Sequence, residues 1–401
     1  MLSVGPTARQ TRAYRAYRMN SLRQIIESSP SIRQLGNTGT TEETAPQPLA
    51  PPRWDWSTIR RVLVIRLRSI GDTVLATPAL VTLRRFLPQA TIEILLEDWV
   101  APVLERSPLV DRVITIPKQS NTARARLARE LHRTKYDVVY NLHGGTTATF
   151  LTRATGAPYR VGFRHYQYAR LHNHVAPSPQ EIWQRQDLHS VEQQLALIGW
   201  TGVPVTDRPG TQLAVSEPAA RSIAEKLAAR KIREDQPIAL IHPAAALETK
   251  QWATENFARV TDAVAERGLA PVAIVSPGER SVLEALRKQS HTPVAGFADL
   301  SLPEVTALAA RARLFIGNDS GIAHIAAATG SPCVVIFGSS SVTHWRPWTV
   351  GPSEVVREEL VCQPCHGYFC AEFDQPQCIL RVPVERVMGA IDRILRSSEF
   401  N

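Results

Sequence analysis

The chain has 401 residues, 44% of them hydrophobic and 21% charged, which suits a globular protein of two domains plus a tail. No apolar run nears the ~18–20 residues of a membrane span, and no apolar h-region follows the charged start, so a cytoplasmic protein is expected. The net charge of +9 is unevenly spread, since residues 1–33 hold six arginines against Glu27 alone. A mildly basic body suits an anionic membrane surface, a nucleic acid or a phosphorylated substrate, and charge alone does not choose between them.

Residues 1–57 read as a disordered basic extension and linker, because 34–53 is rich in Gly, Thr and Pro and poor in large apolar residues. Before it, Tyr14, Tyr17, Leu22, Ile25 and Ile26 among arginines can form a short amphipathic helix on an anionic bilayer, or be a solvated tail. From Arg60 the pattern becomes α/β. Strand-length apolar runs fall at 62–67, 91–96, 112–116 and 136–142, with helical periodicity over 74–87 and 122–134. The Pro/Gly-rich stretch 201–217 breaks the rhythm, which restarts with strands at 238–242, 271–275, 313–317 and 332–338 and helices at 254–267, 302–311 and 320–329. Two Rossmann-like domains are expected, 58–208 and 209–382, with an amphipathic helix in 383–401 returning to pack on the first.

Three segments carry chemistry. In RLRSIGDTVLATPAL, Gly71 permits a tight turn and Asp72 stands where a helix begins, either as its N-cap or in the ligand crevice beyond the strand. In GNDSGIAHIAAATG, the turn Asp319-Ser320-Gly321 leads into a helix whose free amides suit a diphosphate, with His324 in its first turn; plain capping by Ser320 is the alternative. In HPAAALETKQW, Lys250 follows Thr249 at the carboxyl edge of a strand, where it can neutralise phosphate or be a surface lysine. Neither a GxGxxG nor a GxxxxGK motif occurs, which argues against dehydrogenase and P-loop readings.

These segments, with YDVVYNLHG and GAPYRVGF between them, resemble glycosyltransferase family 9, whose best-known members are the heptosyltransferases of the lipopolysaccharide inner core. The likeness covers roughly residues 60–398. It implies a GT-B fold and an inverting, metal-independent transfer without a cofactor, from ADP-heptose to a lipid-linked glycan acceptor. By residue, it makes Asp72 the catalytic base and Thr249, Lys250, Asp319, Ser320, Gly321 and His324 donor contacts. Arg66 and Arg68, which flank Asp72, can bind an anionic acceptor or be plain surface residues, and His143 is a further candidate acceptor contact. Gln251 and Ala253 depart from the family pattern, which usually has a basic residue and a proline there. The absence of Asp-x-Asp in the chain agrees with leaving-group charge being met by Lys250 and a helix terminus. Peripheral contact with the cytoplasmic face of the inner membrane, and no nucleic-acid partner, are expected.

Cys362, Cys365, Cys370 and Cys378 have a spacing able to give four thiolates to a structural zinc, with reduced thiols or occasional disulfides as alternatives. Cys333 reads as core packing.

Overall fold

The computed structural model describes residues 45–117, 121–365 and 369–397. Strands β1 (Arg61–Ile65), β2 (Thr91–Glu97), β3 (Arg112–Ile116), β4 (Val138–Asn141), β5 (Tyr159–Phe163) and β6 (His174–Ala176) form one sheet, ordered β3-β2-β1-β4-β5-β6. A second sheet holds β7 (Ile238–His242), β8 (Ala270–Ile274), β9 (Ala295–Phe297), β10 (Leu314–Asn318), β11 (Cys333–Phe337) and β12 (Ser353–Arg357), ordered β12-β11-β10-β7-β8-β9. All neighbours run parallel. Their central strands are continuous apolar runs because helices cover both faces; Val62 to Ile65 and Ile238 to Ile241 have no exposed surface.

Each sheet reverses direction once. The chain moves outward from β1 to β3, then returns to β4 on the far side of β1; the second sheet does the same at β7 and β10. Such a switch point opens a crevice at the carboxyl ends of the flanking strands. The loops after β1, β4, β7 and β10 are therefore the ones placed to meet ligands, and they carry the sequence motifs. The two GT-B lobes meet where the short helix Ile70–Val74 packs on the helix Gly321–Ala328. One buried cluster runs across this seam, from Val74 and Leu75 to Ala323 and Ile325. The connecting segment is tied to both sides: the Gln212 amide donates to the Thr77 hydroxyl at 3.0 Å, and the Leu213 amide to the Ala328 carbonyl at 3.1 Å.

Two expectations are corrected. Residues 45–57 are not a disordered linker but a strap on the first lobe. The Leu49 amide donates to the Gly199 carbonyl at 3.1 Å, Trp54 stacks on Tyr159 at 4.5 Å, and Trp56 meets Phe86 edge-on at 5.3 Å. Two indoles just after the prolines of this stretch, Trp54 and Trp56, bury enough apolar area to outweigh its composition. The remainder of that extension, including Tyr14, Tyr17, Leu22, Ile25 and Ile26, lies outside the described residues. The last helix, Val384–Ser397, does not return to the first lobe. Its stripe of Val384, Val387, Ile391 and Ile394 is buried against the helix Thr254–Glu266 and the β11–β12 edge of the second sheet. The bare apolar flank of its own lobe lies nearer along the chain than that of the other.

Candidate active site

β1 runs out at Ile65 into Arg66-Leu67-Arg68-Ser69, and Asp72 falls in the first turn of the helix Ile70–Val74. Ser69 occupies the N-cap position and its side chain makes no cap bond. Its hydroxyl donates instead to the Asp72 carboxylate at 3.1 Å. The other carboxylate oxygen of Asp72 forms an ion pair with the Arg66 guanidinium, whose residue is only 9% exposed. Asp72 is thus no helix cap; its side chain is held by polar partners at the crevice.

Arg66 also donates to the Leu142 carbonyl at 3.2 Å and lies 3.3 Å from Nδ1 of His143, joining the loops after β1 and β4. Burial, reinforced by Arg66 and Arg68 and opposed by Asp72, pushes the His143 imidazole down to about 4. A guanidinium only donates, so Nδ1 of this neutral ring accepts and its proton sits on Nε2. Arg68 stands exposed at the rim. Asn141, at the end of β4, shapes the turn: its Oδ1 accepts from the amides of His143 at 3.1 Å and Gly144 at 2.9 Å. Gly144 has φ of 77°, and a Cβ there would lie 2.5 Å from the Tyr166 ring, so only glycine fits. Asp72, Arg66 and His143 open into one cavity with His165 and Tyr166, closed from the second lobe by His344 and Trp345.

On the second lobe, Lys250 sits after β7 in a 3-10 turn, and its ammonium pairs with Asp319, beyond β10, at 2.8 Å. Thr249 is 1% exposed, with its hydroxyl 2.8 Å from that of Ser339. It anchors the lysine loop rather than facing the crevice. Gln251 uses its departure from the family pattern locally, accepting from the Ala245 amide at 2.7 Å and donating to the Pro243 carbonyl at 2.5 Å. Asn318 links the two loops, donating to the Pro243 carbonyl at 3.0 Å and accepting from the Trp252 amide at 3.1 Å. Ser320 does cap the helix Gly321–Ala328, its hydroxyl accepting from the Ala323 amide at 3.4 Å. The amides that precede Ala323 belong to the helix's first turn, where the dipole favours an anion.

His324 joins the halves. It is 5% exposed, its Nδ1 has no hydrogen-bond partner among the described residues, and burial, aided by Lys250 and opposed by Asp319 and Asp72, depresses its pKa and keeps it neutral. Gly71 lies against it: a Cβ on Gly71 would come 2.8 Å from His324 Cδ2, and one on Gly321 would come 2.9 Å from Ile70 Cβ. Facing glycines therefore let the Asp72 turn and the Ser320 turn approach at backbone distance.

Sequence reasoning missed the residues that set these loops, Asn141 and Asn318, and the seam residues His189, Gln193 and His344. Only a polar residue closing a buried strand could have flagged the two asparagines. His189 accepts from the Val191 amide through Nδ1 at 3.1 Å and so donates through Nε2 to the Arg346 carbonyl, across the seam, at 2.8 Å. Burial pushes its pKa down to about 3. In the unfolded chain it titrates near ~6.5, so between those values the unfolded state binds the extra proton. Stability from His189 is present above about pH 6.5 and is lost as pH falls toward 3, at a slope approaching about 1.4 kcal/mol per pH unit. Urea titrations from pH 7.5 to 5 should show this fall, shallower in His189→Gln; equal slopes would contradict the assignment.

The cysteine cluster stands in its reduced-thiol alternative. Cys362, Cys365, Cys370 and Cys378 are free thiols, and among the described residues no group of three or more His, Cys, Asp or Glu could hold a metal ion. Cys378 turns into the core at the helix Gln377–Leu380, where burial, then its neighbouring thiols, push it up to about 11. Cys370 accepts from the Phe373 amide at 3.4 Å. Cys333 is buried in β11, as expected of core packing.

A sequence model of glycosyltransferase family 9 (heptosyltransferase) matches residues 124–374. Lipopolysaccharide heptosyltransferase 3 of Escherichia coli K12 is 28% identical over 349 residues, covering 82% of this chain and 96% of that protein. The structure of E. coli ADP-heptose lipopolysaccharide heptosyltransferase II matches with a TM-score of 0.70 at 24% identity, over 84% of this chain and 99% of that one. A family 9 glycosyl transferase from Veillonella parvula matches with a TM-score of 0.73 at 21% identity, over 84% and 97%.

Proposed function

The chain belongs to glycosyltransferase family 9, and from that premise we propose that it transfers a heptose, with inversion, from ADP-heptose to an inner-core lipopolysaccharide acceptor. The observation that carries this reading is the meeting of opposite chemistries at one seam. The Asp72 carboxylate of the first lobe follows Gly71, which packs against His324 of the second, while Lys250 and the Gly321 helix terminus bring positive charge to the same seam.

In this reading the acceptor occupies the cavity of Asp72, Arg66 and His143, and the nucleotide sugar occupies the crevice of Lys250, Asp319, Ser320, Gly321 and His324. A carboxylate is too weak a base to ionise a sugar hydroxyl before attack, so Asp72 takes the proton as the new bond to the anomeric carbon forms. The bond to the diphosphate breaks on the opposite face. Lys250 and the helix amides stabilise the charge that builds on the departing ADP. Neutral His143 orients the acceptor, and Arg66 holds the carboxylate until an anionic acceptor group competes for the guanidinium. The acceptor is lipid-linked, so the protein works at the cytoplasmic face of the inner membrane.

The test is turnover of purified protein with a panel of nucleotide sugars and a rough-core acceptor. ADP-heptose should be used in preference to the others; exclusive use of a different donor would overturn the substrate while leaving the family intact. Lys250→Ala should lower kcat/KM for the donor about 10- to 100-fold, the value of one charge-assisted hydrogen bond, and weaken ADP binding measured by calorimetry. Unchanged ADP affinity would remove Lys250 from the donor crevice.

A further inference from the structure

The helix layer on the outer side of the first sheet has a surface that the transfer reaction does not use. The helix Asn121–Thr134 contains four arginines and one acid, Glu130, which is engaged by Arg112. Its buried stripe of Leu127 and Leu131 faces the sheet, so Arg126, Arg129 and Arg133 point outward, where they line an open depression. Beside it lies the helix Thr146–Ala154, the two meeting where His132 packs on Gly156. The second helix buries Ala148 and Leu151 and turns Phe150 and Arg153 outward, one turn apart. Phe150 is 52% exposed and touches Tyr168, itself 44% exposed, at 5.5 Å between ring centroids. Tyr168 is held outward at φ of 58°, a costly conformation for an aromatic residue.

We infer that this face, with Phe150 and Tyr168 as its apolar contact and Arg126, Arg129, Arg133 and Arg153 as its cations, docks on an anionic phospholipid bilayer. Exposed aromatic rings, with Arg153 a turn away from Phe150 and the arginines of the adjoining helix beside that helix, match an acyl–headgroup boundary, where the rings leave water and the guanidinium groups meet phosphate. The cations are arranged for a surface rather than a single ion, since they spread over two helices. Location supports the same partner. The helix Thr146–Ala154 starts three residues after His143, and Tyr168 follows His165 and Tyr166, so this face adjoins the loops that wall the acceptor cavity. The purpose of docking rests on the lipid-linked acceptor proposed above, but its existence does not.

The full chain should cosediment with vesicles of phosphatidylethanolamine and phosphatidylglycerol and not with phosphatidylcholine alone, more weakly as salt rises. Arg126→Glu with Arg129→Glu and Arg133→Glu, and separately Phe150→Ser with Tyr168→Ser, should each lower partitioning at least tenfold while ADP binding persists as the control for folding. Replacing Arg9, Arg12, Arg15 and Arg18 by glutamine in the full chain should have the smaller effect. The inference is overturned if the anionic vesicles are not bound, if the face variants bind as the parent does, or if the arginine variant loses duplex DNA binding instead. Vesicle binding by a protein that cannot use ADP-heptose would defeat the functional reading and leave this one standing.

Discussion

Asp72→Asn is expected to lower kcat about 10²- to 10⁴-fold, the range set by a general base acting at the transition state, with donor affinity nearly unchanged. Asparagine keeps the size of the side chain and an oxygen for the Ser69 hydroxyl, but it cannot accept the acceptor's proton. The effect should fall on kcat rather than on ADP-heptose binding, because Asp72 belongs to the first lobe and the diphosphate contacts to the second. Arg66 would lose its charged partner, so the variant should be checked for an unchanged unfolding midpoint before the rate is read. Activity above about a tenth of the parent's would contradict the base role, being far outside what general base catalysis supplies.

Gly321→Ala is expected to cost about 10²-fold in turnover, comparable to an ångström of misplacement between reacting groups, though it adds only one methyl. Alanine suits the first turn of a helix better than glycine, so the lobe itself should not be weakened. The new Cβ would stand 2.9 Å from Ile70 Cβ and 3.2 Å from the Gly71 amide nitrogen. Neither neighbour is the free end of a flexible chain, so the seam must open and carry Asp72 away from the anion crevice. ADP binding to the second lobe should survive while transfer is lost. Gly71→Ala should act in the same direction, meeting the ring of His324 at 2.8 Å. Full activity in Gly321→Ala would show that this close contact does not matter to the reaction.

Periodicity and motif order in the sequence were enough for the α/β class, the two Rossmann-like repeats, and the loops that carry Asp72, Lys250 and Asp319, because strand and helix periods and turn residues are local properties of the chain. Short edge strands such as β6 and β9, three residues each, left no comparable trace. Nor could local pattern tell a capping aspartate from a paired one: that depended on Arg66, six residues earlier, swinging its guanidinium onto Asp72 instead of into solvent. Composition misjudged the strap at 45–57, where burial of Trp54 and Trp56 on distant partners outweighed a linker-like sequence, and the last helix, whose apolar stripe fitted its own lobe. Cysteine spacing left metal, thiol and disulfide readings open, and only the fold turned Cys378 into the core. The glycine contact between Gly71 and Gly321, residues 250 positions apart, is what only the tertiary structure decided. A sequence records which residues can tolerate close approach, but the pairing of two surfaces is fixed by the packing of the whole chain.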